Sequence, residues 1–285
     1  MAIINLSDRI QISRKRILFP DMQKRLRVVA ISDIHAPSTK FSISELVRIV
    51  NAQSADIFIL AGDIIDKKGS ESLVRHFALV STRLAKLAVL GNWEYKRNLN
   101  ILKLKDEYEK IGMRLLINNI SKISGITFFG LDDLIGGKPN FNIIRKTKTG
   151  SKPMIVISHC PESFDYLPIF SKFSLIVISG HTHGGQIAPF GIALCKPRGS
   201  GGYIGGWYYK GNNSMYVMRG IGTSGFPVRI GARPEMLVLE ICSTFRAQKN
   251  EKQISNREAS ENSHSKLFQK WKSYLSYCKL YETGY

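Results

Sequence analysis

The sequence predicts an α/β fold, and three observations carry that reading. Short apolar runs rich in Val and Ile recur along the chain, bounded by Gly or Ser in the manner of buried strands. Helical periodicity follows three of these runs, and strand–helix alternation is the mark of an α/β architecture. At 285 residues and 44% hydrophobic content, the chain can fill a sizeable core as one domain with a tail.

The elements follow in order. Residues 8–19 read as an opening strand, stopped by Pro20. Runs at 27–31, 57–60 and 87–90 read as strands, with helices expected over 43–52, 71–84 and 99–111. Asn98 is the expected N-cap of the last of these. Three short strands are expected near 114–117, 120–124 and 126–130, then buried strands at 154–157 and 175–178. The Gly- and aromatic-rich stretch 185–211 reads as loop and edge strand, and strands near 215–219 and 236–242 close the domain. The expected division is a domain over 1–242, a polar linker over 243–265 and an amphipathic helix over 266–285.

Five of the strands run into side chains that bind metals. Asp33 and His35 follow the first, Asp63 the second, Asn92 the third, His159 the fourth, and His181 and His183 the fifth. Ligands would then share the C-terminal edge of the sheet, where α/β sites form. Asp33/His35 and His181/His183 are i, i+2 pairs, which an extended backbone points to one side. A lone Asp-x-His is usually a surface turn, and Gly-Asp after a strand commonly begins a helix. The ordered set of five is what points to a metal centre. Asp, Asn and His together suit Mn, Fe or Zn better than Ca, which prefers all-oxygen shells. Two such ions about 3.5–4 Å apart can activate a hydroxide and clamp a phosphoryl group.

With these residues in view, the chain resembles the calcineurin-like metallophosphoesterases over roughly residues 8–242. Gly180 to Ile187, with Gly180-His181-Thr182-His183-Gly184-Gly185, and Arg219 to Arg229 look like the YkuE-like bacterial membrane-associated phosphodiesterase branch. Some relatives there cleave UDP-2,3-diacylglucosamine in lipid A synthesis. The resemblance implies a four-layer αββα sandwich of two mixed sheets flanked by helices. It implies two divalent ions, Mn foremost with Fe, Zn or Mg as alternatives. Asp33, His35, Asp63 and His183 would hold one; Asp63, Asn92, His159 and His181 would hold the other. Asp63, Asn92 and His159 stand as the catalytic candidates. One position departs from the family, which usually carries His after Gly-Asn where this chain has Trp93. Indole cannot titrate, so Trp93 either packs beside the site or marks a substrate whose leaving group needs no proton. Glu94 is expected to cap or orient rather than ligate. The backbone N–H groups of Gly184, Gly185 and 222–225 are candidate phosphate donors. Arg229 and Arg233 read either as phosphate contacts or as structural ion pairs. Asp132 reads as a partner of a ligand His or as a turn residue, and Cys160 as packed rather than reactive.

Composition bounds the partners. The chain carries 41 Lys and Arg against 22 Asp and Glu, a formal charge of +19, and seven of the cations fall within residues 1–30. Such a field attracts phosphorylated substrates, anionic lipid or nucleic acid. The 266–285 stripe of Leu267, Phe268, Trp271, Tyr274 and Leu275, with lysines beside it, fits an interfacial membrane helix or one docked on the domain. No run of 18 apolar residues and no signal-peptide h-region is present, and four cysteines without CxxC spacing suit a reducing compartment. The expectation is a cytoplasmic protein peripheral to the inner membrane. The leading reading is a two-metal phosphohydrolase; a nuclease of the same superfamily and a non-catalytic scaffold are the alternatives.

Overall fold

A computed structural model describes residues 9–19, 24–97, 99–147, 154–170 and 174–243. The expected linker and C-terminal helix lie outside the described residues, except that Ser243 ends a strand.

The strands are β1 Gln11–Phe19, β2 Leu26–Ile31, β3 Ile57–Ala61, β4 Ala85–Val89, β5 Met113–Leu115, β6 Asn119–Ile123, β7 Ile126–Gly130, β8 Met154–Ile157, β9 Leu175–Ser179, β10 Gly206–Lys210, β11 Asn213–Val217 and β12 Glu235–Ser243. They form two six-stranded mixed sheets, ordered β1-β12-β2-β3-β4-β5 and β10-β11-β9-β8-β7-β6. The helices are α1 Ile43–Asn51, α2 Asn92–Lys96, α3 Ile101–Lys110, α4 Phe141–Lys146 and α5 Ser163–Tyr166.

Three apolar layers make this a four-layer αββα sandwich. Val29, Ile31, Phe58 and Leu60 on the outer face of the first sheet pack against Leu46 and Val50 of α1 and Leu104 and Tyr108 of α3. Val28, Ile57, Ile59 and Leu87 on its inner face meet Phe128, Ile155, Ile157 and Ile178 of the second sheet. The far face of the second sheet, with Val156 and Val177, is covered by Ile144 of α4 and Phe164 of α5. Strands buried on both faces are apolar throughout, and so β3 reads Ile-Phe-Ile-Leu-Ala with every residue buried. At the edge, β1 alternates instead.

Capping explains the helix starts. The Ser42 hydroxyl accepts from the Glu45 N–H at 3.1 Å and opens α1. Asn100 does the same for α3, accepting from Lys103 N–H at 3.1 Å. The expected cap Asn98 is therefore two residues early, and lies outside the described residues. The helix expected over 71–84 is a 3-10 helix over Glu71–Leu79. Residues 80–84 leave it because Arg83 and Leu84 N–H groups bond to the Ala55 and Asp56 carbonyls, drawing the chain alongside β3. None of the helices among the described residues is long and apolar enough to cross a membrane.

Candidate metal centre

All seven candidate ligands leave the C-terminal ends of strands: β2, β3 and β4 of the first sheet, β8 and β9 of the second. The site thus spans the rim where the two sheets meet. The His159 ring Nδ1 lies 2.9 Å from the Ala61 carbonyl, tying the β8 end to the β3 end.

The backbone there is not extended, contrary to the expectation for the i, i+2 pairs. Asp33, His35, Asp63, His181 and His183 all have φ between 52° and 73°. The left-handed region is costly for such residues and is held only where the surroundings over-determine it. The chain turns sharply as it leaves β2, β3 and β9, and these turns, rather than the pleat, aim the side chains there. Asp33 and His35 still converge on one cluster, together with His183, whereas His181 joins Asp63 and His159 in a second cluster.

The clusters adjoin. His35 Nε2 lies 3.1 Å from His183 Nε2, and His159 Nε2 lies 3.2 Å from His181 Nδ1. Asp63 stands between them: its Oδ2 is 3.2 Å from His159 Nε2 and 3.8 Å from His35 Nε2. Its other oxygen is anchored by the Trp93 N–H at 2.8 Å. Asp33 accepts the His181 N–H at 3.0 Å, and its Oδ1 faces His183 Nε2 at 3.7 Å. Glycines make the crowding possible. A Cβ on Gly91 would sit 2.3 Å from Asp63 Oδ1, and one on Gly62 would sit 2.6 Å from His159 Nδ1.

These residues fit two cations. Asn92 Oδ1 is buried without a hydrogen-bond donor, a costly state that a cation relieves. Burial holds His183 down to about 3 and also lowers His35 and His181, keeping their ring nitrogens available as lone pairs. Burial would raise Asp63, but a positive charge at the His159 side outweighs it and keeps it ionised; with no cation that charge is a proton on His159, and a bound cation would replace it. The far ring nitrogens are also fixed, as metal-bound histidines require: His181 Nε2 is 2.7 Å from the Arg198 carbonyl and His183 Nδ1 is 3.3 Å from the Gly222 carbonyl.

The calcineurin-like phosphoesterase family model matches residues 26–185, which contain all seven of these residues. The chain belongs to that family. It is 30% identical to an uncharacterized metallophosphoesterase of Campylobacter jejuni over 78% of this chain and 60% of the relative. A Helicobacter pylori metallophosphoesterase is 28% identical over 82% and 64% of the two chains. Bacillus subtilis YkuE is 27% identical over 81% and 84%. The chain therefore spans less than two thirds of the length of the Campylobacter and Helicobacter relatives.

Around this centre the remaining expectations divide. Glu94 does orient the site. Its carboxylate accepts from the N–H groups of Asp63, Ile64, Ile65 and Gly91 at 2.8–3.2 Å, locking the β3 and β4 loops together. Burial and the Asp63 charge push it up to about 7 against those donors. Trp93 is half-buried and sets its ring edge-on to His35, with centroids 5.6 Å apart. Lys96 Nζ lies 4.7 Å from the centre of the same indole.

Gly184 and Gly185 are not open donors. Their N–H groups bond to the Thr182 hydroxyl and carbonyl within a 3-10 turn, and both residues are buried. Of the 222–225 donors, Gly222 N–H bonds to the Asp33 carbonyl and Ser224 N–H to Gln186 Oε1. Arg229 forms no ion pair among the described residues, and its guanidinium is taken up by backbone carbonyls. Buried, it donates to the carbonyls of Gly222, His183 and Ala232, bracing the loop that carries His183. Sequence could not show this, because its partners are backbone atoms. Arg233 is exposed on the loop before β12. Asp132 accepts from the Tyr95 hydroxyl at 2.5 Å and the Lys138 N–H at 2.8 Å, a turn role rather than a histidine partner. Cys160 is buried, its thiol 3.2 Å from Asp133, and burial raises its pKa out of the reactive range.

Proposed function

We propose that this phosphoesterase uses two divalent ions, Mn foremost, to cleave a phosphodiester or pyrophosphate bond in a nucleotide-linked lipid such as UDP-2,3-diacylglucosamine of lipid A synthesis, at a membrane surface. The placement of Asp63 carries the two-ion reading. One oxygen is pinned by a backbone N–H, and the other faces histidines of both clusters. Asp33, His35 and His183 would hold one ion; Asn92, His159 and His181 would hold the other, with Asp63 between them. When bound, such a pair supplies Lewis acidity and an activated water for in-line displacement at phosphorus. The chain itself contributes position: five left-handed residues at three strand ends and the Glu94 brace fix the donors before substrate arrives.

Trp93 supports the finer choice of substrate. It lies against His35 where the family usually places an imidazole, and it can neither take nor give a proton. An alkyl alcohol leaves as a strongly basic alkoxide and needs a proton in the transition state. A nucleotide phosphate leaves as a stable anion, so the missing acid costs little. Hydrolysis of UDP-diacylglucosamine and an aryl phosphodiester should therefore exceed that of an alkyl monoester by about 10²-fold or more, the usual scale of general-acid help. Trp93→His should narrow the gap by improving the alkyl ester. Equal wild-type rates on all three would overturn the assignment.

The +19 charge favours a second reading, a nuclease of the same superfamily. Single-stranded DNA belongs in the same panel, and steeply salt-dependent cleavage of it would select that reading.

A further inference from the structure

The two loops beside the metal centre end in exposed apolar tips. Phe190, Ile192 and Leu194 on one are 89%, 68% and 68% exposed, and Phe226 on the other is 75% exposed. The loops are laced into one surface. Ala188 N–H bonds to the Ile230 carbonyl at 2.7 Å, Ile230 N–H to the Gln186 carbonyl at 2.8 Å, and the Gln186 amide to the Phe226 carbonyl at 2.9 Å. Both are rooted in the site, since Arg229 bonds to the His183 carbonyl and the Arg198 carbonyl receives His181 Nε2. A cleft of about 90 Å³, lined by Thr39, Lys40, Thr223, Pro227 and Val228, opens beside the second tip.

Charge selects what covers this surface. From Gly184 to Pro234 the chain contains no Asp or Glu, and it carries Lys196, Arg198, Lys210, Arg219, Arg229 and Arg233. Lys196, Arg198 and Arg233 are exposed, as is Lys40 across the cleft. Large apolar side chains ringed by cations of one sign are the pattern of an interfacial contact with anionic lipid, in which rings enter the acyl boundary and cations meet headgroup phosphate. An apolar cluster this exposed on a soluble domain marks a docking surface rather than ordinary surface composition.

We propose that the tips of 189–194 and 224–228 form a membrane-docking rim. The rim seats the metal centre against an anionic bilayer, so that a lipid-linked phosphate enters the cleft from the membrane without crossing water. It deepens the reading of a lipid-linked substrate and rests on it for its purpose, but the binding event is separable from turnover.

The test compares the full chain with Phe190→Ser/Phe226→Ser, using vesicles of phosphatidylcholine with and without phosphatidylglycerol. Wild type should sediment with the anionic vesicles and far less with the neutral ones. The variant should partition at least about tenfold more weakly, the loss expected when two rings no longer enter the interface. Its hydrolysis of a soluble aryl phosphodiester should be unchanged, which establishes that it is folded. A fluorophore on Cys195, which is exposed on the same rim, should blue-shift on anionic vesicles in a Cys242→Ser/Cys278→Ser background. A variant that sediments as well as wild type, with no shift at Cys195, overturns the proposal. So does a rim that only joins two copies of the chain, seen as a wild-type dimer that the variant loses while lipid binding stays. Failure of the diester assay in wild type would instead strike the phosphohydrolase reading and leave the vesicle result standing.

Discussion

Asp63 and Glu94 make opposite kinds of demand on the same loop. Asp63 presents its second oxygen to both clusters, so Asp63→Ala should lower metal content at both positions and bring turnover below roughly a tenth of wild type. Elemental analysis of the purified variant, beside its rate, checks both halves. Glu94 presents nothing to the centre, yet four backbone N–H groups converge on its buried carboxylate. Glu94→Ala should cost on the order of 3 kcal/mol of stability by orphaning those donors. Chemical denaturation measures that loss whether or not metal is present. The seven candidate ligands were legible in sequence because residue type and the preceding strand are both local signals, and six of them gather in the two clusters. The split of His181 and His183 between clusters came only with the family resemblance; the i, i+2 spacing alone put both on one side, because the split follows from φ values near 73° and 53° that no pattern of residue types announces. The role of Arg229 was hidden for a related reason: a guanidinium bound to carbonyls looks in sequence like any other arginine.

At the scale of elements, the contact between the 3-10 helix and α3 has an ionic latch. Arg75 Nη2 lies 2.8 Å from Glu107 Oε1, and Lys110 Nζ lies 3.0 Å from the same oxygen. The Arg75 hydrogen bonds, and then that of Lys110, hold Glu107 from its ordinary 4.5 down to about 2. A depressed carboxylate stabilises the fold above its unfolded pKa and loses that contribution as pH falls through the folded value. Wild type should therefore melt above Glu107→Gln at neutral pH, and the gap should close between pH 4.5 and about 2. Parallel thermal melts across that window decide it. Ser42→Ala should cost about 1 kcal/mol through the lost cap of α1. The strands were legible because doubly covered sheets demand unbroken apolar runs. The 3-10 helix was mistaken for a longer α-helix because Leu73, Phe77, Val80 and Leu84 keep a helical spacing while Ala55 and Asp56 claim the Arg83 and Leu84 N–H groups. The short helices α2, α4 and α5 span only four to six residues each, too few for periodicity to register.

For the whole molecule, the +19 charge sets the terms on which substrate arrives. Screening sets in over about 10 Å at 0.1 M salt, so kcat/KM for an anionic diester should fall roughly tenfold from low to physiological salt while kcat holds. Rates on one soluble substrate across a salt series test this. A different constraint comes from the order of the first sheet. β12 is inserted between β1 and β2, pairing Gln11 with Glu235 on one side and Ala30 with Leu237 on the other. Among the described residues nothing else in that sheet pairs with β1. While the chain is still on the ribosome, β2 has its Asp33 and His35 turn but no neighbour on that side until about residue 235 has emerged. Such non-local pairing closes late. The first sheet is therefore expected to close around the Asp33 and His35 turn only after β12 has emerged. A nascent chain stalled before Glu235 should show protease-sensitive β1 and β2, and one stalled well beyond Ser243 should not.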